Sequence, residues 1–172
     1  KRIGRGAMGA VYLAKDPRIN RPVALKAIPI EKEFEDEELK EARLRFYREA
    51  ESAGRLTHPN IITVFDAGED KGLAYIAMEY VPGIPLKDFT DAKRLLAPKR
   101  ALELCAATAE ALDYAHNQGV IHRDLKPGNL MLTSGVGVKV LDFGLAIHAA
   151  APGRAVNETS SSAHARDENV NH

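Results

Sequence analysis

Asp124, Lys126 and Asn129 stand within six residues, in the stretch His122-Arg123-Asp124-Leu125-Lys126-Pro127-Gly128-Asn129. A second carboxylate, Asp142, follows eighteen positions after Asp124 and opens Asp142-Phe143-Gly144. These residue types suit phosphoryl transfer from ATP. One carboxylate orients an attacking hydroxyl, a cation sits on the moving phosphoryl group, and an amide and another carboxylate hold magnesium against the phosphates. On this reading Asp124 is the catalytic base, Lys126 neutralises the transferred group, and Asn129 and Asp142 are metal ligands. Hard oxygen donors at two separated points suit Mg2+ held jointly with ATP.

Two further features could complete such a site. Gly4-Arg5-Gly6-Ala7-Met8-Gly9-Ala10-Val11 is glycine-rich, and glycines let the backbone approach phosphate oxygens and offer amides to them. The same pattern matches a dinucleotide fingerprint, which wants a helix to follow. Here Val11-Tyr12-Leu13 continues as a strand, so a hairpin over phosphates fits better; a plain structural turn is the other alternative. Lys26 lies in the apolar run Val23-Ala24-Leu25-Lys26-Ala27-Ile28. A lysine snorkelling from a strand edge is the bland alternative. Glu49 sharpens the reading: it falls on the helix face of Phe46, Ala50 and Ala53, where an unpaired carboxylate is costly. A Lys26–Glu49 ion pair is therefore expected, aiming the ammonium at the α- and β-phosphates.

The elements that must position these groups follow from hydrophobic period and turn signals. Strands are expected around the glycine-rich turn, at Val23 to Ile28, at Ile61 to Asp66 and at Leu73 to Tyr80. A helix runs from the acidic stretch Glu31 to Glu41, which complements its dipole, to about Leu56, with Leu39, Ala42, Phe46, Ala50 and Ala53 facing inward. Thr57-His58-Pro59 ends it. A second helix over 99–118 carries the stripe Leu102, Cys105, Ala109, Leu112 and His116, with the lone Cys105 packed in the core. Val136 to Leu141 is a short strand ending at Asp142. Residues 148–172 contain no apolar residue larger than valine and are expected to be disordered.

Composition narrows the class. The 172 residues are 45% hydrophobic and 28% charged, as in a globular protein with one sizeable core. Basic and acidic residues number 24 each, which leaves no electrostatic footprint for nucleic acid or an anionic membrane. One cysteine excludes an internal disulfide. No apolar run approaches the roughly 20 residues of a membrane span, and no signal peptide opens the chain, so a cytoplasmic protein, or the cytoplasmic part of a longer one anchored in a membrane elsewhere, is expected.

The motif set resembles eukaryotic-like Ser/Thr protein kinases, most closely those of bacteria, from Ile3 to about Ala146. The resemblance implies an α+β, two-lobed protein-kinase-like fold. Residues 1–80 would form an antiparallel sheet with one helix, 81–83 a hinge, 84–147 a partial helical lobe, and 148–172 a tail in place of the activation segment. It implies transfer of the ATP γ-phosphate to Ser/Thr hydroxyls of protein substrates. Ile3, Gly4, Gly6 and Gly9 would cover the nucleotide, Met78 would be the gatekeeper, Glu79 and Val81 would offer backbone groups to adenine, and Val11, Ala24 and Met131 would sandwich the ring. Arg123 would pair with a phosphorylated residue, with Thr159, Ser160, Ser161 and Ser162 as candidates. One position departs: the acidic residue that many such enzymes place on the ribose is Pro85, and Asp88 is the available substitute. Beyond Ala146 no family motif is recognisable, which reads as a C-terminally truncated domain. Two readings follow: an active Ser/Thr kinase of which this chain is a part, and an ATP-binding, catalytically weak regulatory module.

Overall fold

The computed structural model describes residues 1–6, 9–33, 36–135 and 137–143. Five antiparallel strands form the first sheet: β1 (Arg2–Gly6), β2 (Gly9–Asp16), β3 (Arg21–Ile28), β4 (Val64–Asp70) and β5 (Leu73–Glu79), in the order β1-β2-β3-β5-β4. The central strand β3 buries Val23, Ala24, Ala27 and Ile28. The hairpin between β1 and β2 closes with Gly6 opposite Gly9. Gly9 has φ +140, and a Cβ there would lie 2.1 Å from the carbonyl oxygen of Ala27. Only glycine lets the hairpin lie this close to β3.

Two helices follow β3, the single turn α1 (Ile30–Glu33) and α2 (Asp36–Gly54), where the sequence suggests one continuous helix. The inward face of α2 is the expected one. Ala42, Phe46, Ala50 and Ala53 are buried, and Leu39 packs at the edge. Three small alanines around one phenylalanine bring the helix axis close to the sheet. Arg43 secures the outer side: its Nε donates to both Glu69 carboxylate oxygens, at 2.9 and 3.1 Å, and its Nη2 reaches Glu31 at 2.9 Å.

The second part holds a three-stranded sheet, β6 (Ile84–Pro85), β7 (Leu130–Leu132) and β8 (Val138–Val140), and the helix α3 (Pro98–Asn117). Pro98 occupies the first turn of α3, where a missing N–H costs nothing. Its buried face is Leu104, Thr108, Ala111 and Ala115. The expected stripe is therefore displaced: Leu102 is 71% exposed and Cys105 is exposed rather than packed. Both stripes have helical spacing. What selects between them is β8, whose Val138 and Val140 are fully buried and pack where alanines leave room.

A second connection besides the chain at 81–83 joins the two parts. Residues 60–62 run beside β8: Val140 N–H donates to Asn60 O at 2.7 Å, Ile62 N–H to Val140 O at 2.9 Å, and Asn60 Nδ2 to Val138 O at 2.7 Å. Pairing with β8 explains why the first residues of the expected strand 61–66 lie outside β4. One buried cluster consequently runs from Ile28 and Phe46 through Ile61 to Val140 and Phe143.

Candidate active site

The catalytic-loop residues are placed by backbone geometry that few side chains favour. Arg123 (φ 64) and Asp142 (φ 56) both take left-handed conformations, each costing about 1–3 kcal/mol that the surrounding packing must offset. His122 supplies part of that support. It is buried, its Nδ1 accepts the Asp124 N–H at 3.2 Å, and its Nε2 lies 2.8 Å from the Leu141 carbonyl. With Nδ1 accepting, the ring proton sits on Nε2 and is donated to Leu141. The imidazole thus ties the residue at Asp124 to the one preceding Asp142, and packs in a tilted contact with the Phe143 ring, centroids 4.8 Å apart.

Asp124 receives Lys126 Nζ at 2.6 Å and Asn129 Nδ2 at 3.2 Å on the same oxygen, Oδ2. The lysine bond, above all, holds the Asp124 carboxyl below its ordinary pKa. Asn129 also donates Nδ2 to the Asp124 carbonyl at 2.7 Å. With its NH2 used in this way, the Asn129 amide oxygen accepts no hydrogen bond among the described residues. A hard cation can take that oxygen together with Asp142. No group of three His, Cys, Asp or Glu among the described residues could hold a metal, so an ion here draws its remaining ligands from phosphate or water.

The Lys26–Glu49 pair is not formed. Lys26 Nζ lies 3.2 Å from Asp142 Oδ1, and Glu49 Oε1 faces Arg123 Nη1 at 3.7 Å. The reason is competition. The turn at Asp142 brings its carboxylate under β3, and the left-handed Arg123 brings a guanidinium under α2, so each member of the expected pair meets a different partner. The second Glu49 oxygen is buried without a hydrogen bond. Burial raises the Glu49 carboxyl pKa, against the opposing pull of Arg123, Arg45 and Lys26.

A carboxyl raised in the folded state contributes stability that is complete below its unfolded pKa and is lost as pH rises through the raised value. Glu49→Gln, which keeps the shape and removes the charge, should therefore raise Tm at pH 8 by about 2–4 °C and show a smaller gain at pH 4. Parallel thermal melts of both proteins check this; a lower Tm for the variant at pH 8 contradicts it.

A cleft of about 750 Å3 lies between the two parts. Ile3, Gly4, Gly9, Val11, Ala24, Lys26, Met78 and Glu79 line it from the first sheet, Val81 from the connection, and Asp124, Lys126, Asn129, Met131 and Asp142 from below. The sequence-expected residues described there thus converge, apart from Glu49, which borders a separate cavity of about 250 Å3 with Arg45, Arg48 and Arg123. Asp88 does not line the cleft either; Lys87 and Thr90 do. Candidate phosphoacceptors Thr159 to Ser162 and the tail 148–172 lie outside the described residues.

Sequence reasoning missed the support of the connection. Glu79 turns its carboxylate away from the cleft interior to Lys139, with Oε2 2.7 Å from Nζ, and the same lysine donates to Ile61 O at 3.2 Å. The Thr63 N–H reaches the same Glu79 oxygen at 3.3 Å. The available signal was period two: Lys139 alternates with the buried Val138 and Val140, so its side chain emerges on the opposite face of β8.

The whole chain has clear relatives. The protein kinase domain family model matches residues 1–170, beyond Ala146 where recognisable motifs end. The serine/threonine-protein kinase PknB of Mycolicibacterium smegmatis is 40% identical over 163 residues, covering 92% of this chain and 25% of that protein. The serine/threonine-protein kinase PrkC of Bacillus subtilis is 41% identical over 144 residues, covering 84% of this chain and 22% of that protein. Among solved structures, the PknI kinase domain of M. tuberculosis superposes with a TM-score of 0.72 at 41% identity, covering 85% of this chain and 57% of that one. The chain thus spans about a quarter of the length of the curated relatives it matches. With a family match over nearly its full length and a fold shared with solved kinase domains, this chain belongs to the protein kinase domain family.

Proposed function

We propose that this chain carries the nucleotide site of a Ser/Thr protein kinase, transferring the ATP γ-phosphate to protein hydroxyls. The observation that supports it most is the joint arrangement of Asp124, Lys126 and Asn129. A carboxylate of lowered pKa is held by an ammonium at 2.6 Å, beside an amide whose NH2 is engaged, in the cleft that Asp142 and Lys26 also line. Asp124 accepts a hydrogen bond from the incoming hydroxyl and orients it. Lys126 lies against the phosphoryl group in flight. Lys26 holds the nucleotide phosphates, and the amides of the glycine hairpin cover them. Asn129 and Asp142 are the residues that would hold Mg2+, which when bound neutralises phosphate charge. The need for ATP supports a cytoplasmic setting for this segment, and no helix of the described residues is long and apolar enough to cross a membrane.

A second reading, an ATP-binding but catalytically weak module, is favoured by the Lys26–Asp142 and Glu49–Arg123 pairs, which keep the phosphate-binding lysine on a carboxylate. Calorimetric titration with ATP, with and without Mg2+, tests what both readings share. Saturable Mg-dependent binding is expected, weakened by Lys26→Met; a folded sample that gives no heat with Mg-ATP refutes both. Phosphate incorporation into a Ser/Thr peptide separates them.

A further inference from the structure

Among the described residues the cleft has four basic residues in its lining, and two of them are paired with carboxylates. Lys26 faces Asp142 and Lys126 faces Asp124, while Arg5 and Lys87 have no carboxylate partner among the described residues. The acidic members are all engaged, Glu79 by Lys139 included. The mouth therefore presents uncompensated positive charge, and Pro85 stands where an acidic residue could have cancelled it.

Arg5 and Lys87 differ in what they stand beside. Arg5 belongs to β1 of the hairpin that covers the nucleotide. Lys87 lies in the single 3-10 turn Leu86–Phe89, below the cleft. That turn is anchored at both ends. Leu86 packs against the core, and Thr90 closes the turn by donating its Oγ1 to the Lys87 carbonyl at 2.8 Å. The Lys87 stem crosses Gly128 of the catalytic loop: its Cδ lies 3.9 Å from where a Cβ on Gly128 would stand. Gly128 is between Lys126 and Asn129, so the Lys87 stem lies against the loop that carries those groups, in the same cleft lining.

Resting on the kinase reading above, we propose that Lys87 is a specificity-determining residue that recognises a carboxylate side chain close to the Ser/Thr acceptor of the protein substrate. The same turn disfavours basic residues there, because no unpaired carboxylate in the cleft lining receives them and a like charge repels them. An anionic partner for Lys87 could also come from the ATP phosphates, and the two sources give different kinetics.

The test uses the intact protein and a neutral peptide with a single threonine acceptor, into which one Asp or one Arg is placed and moved one position at a time. Wild-type enzyme should favour Asp over Arg at one or two positions by about 3–10-fold in kcat/KM, as expected for partly exposed charge pairs. Lys87→Met should remove most of that preference, and Lys87→Glu should reverse it. The readout is a ratio between peptides measured on one preparation, so partial misfolding of a variant cancels. Equal Asp-to-Arg ratios in wild type and Lys87→Glu overturn the proposal while leaving the kinase reading intact. So does a change confined to the KM for ATP, which would assign Lys87 to the nucleotide. If wild-type protein transfers phosphate to none of the peptides, the kinase reading itself fails, and this proposal with it.

Discussion

Asp124→Ala is expected to reduce phosphate transfer to a Ser/Thr peptide by about 10²–10⁴-fold, the usual contribution of a positioned acid–base group, while Mg-ATP still binds. On the proposed reading the carboxylate does not belong to the nucleotide-holding set; it accepts from Lys126 and from the Asn129 amide. Steady-state incorporation and calorimetry on the same preparations check the two halves. Transfer within a factor of a few of wild type would remove Asp124 from the reaction. The pH profile adds a signed expectation. The pKa of Asp124 is depressed in the folded protein, chiefly by its bond to Lys126, so its ionised form persists below the ordinary carboxylate range and is lost only as pH falls through the depressed value. Lys126→Met removes the largest cause, and the acid limb of kcat/KM should then move to higher pH.

Asp142→Asn is expected to cost transfer at least about 10²–10³-fold, the range for losing one fixed electrostatic contact to developing charge, and also to remove most of the Mg2+ dependence of ATP binding. The Asp142 carboxylate is one of two oxygen donors that flank the cleft floor without being consumed by the catalytic-loop network. The substitution also leaves Lys26 without its 3.2 Å partner. ATP affinity measured with Mg2+ and with a chelator should therefore converge in the variant. If Mg2+ still tightens ATP binding as much as in wild type, Asp142 is not a metal ligand here. Comparison with Lys26→Met separates the two roles, since that variant loses the phosphate contact and keeps the metal donor.

The catalytic loop was legible through its resemblance to the kinase motif, because its parts are local. Asp124, Lys126 and Asn129 share one loop, and a few residues of backbone bring an amide to a carboxylate whatever the rest of the chain does. The inward face of α2 was legible for a similar reason, since one bulky Phe46 among alanines leaves a single apolar side. The need for glycine at position 9 was foreseen as phosphate access, and the coordinates add the close approach to Ala27. Where two answers have the same period, the amino-acid order does not choose. Helix α3 carries two apolar stripes, and only the docking of Val138 and Val140 determined that Leu104, Ala111 and Ala115 would be covered and Cys105 left outside. Charge partners show the same limit more sharply. Lys26, Glu49, Arg123 and Asp142 lie on four elements far apart in sequence, and how α2 sits over the catalytic loop decides whether Glu49 meets Lys26 or Arg123. Coulomb attraction names a set of eligible partners; the packing of helix on sheet sets the distances, and the distances select the pair.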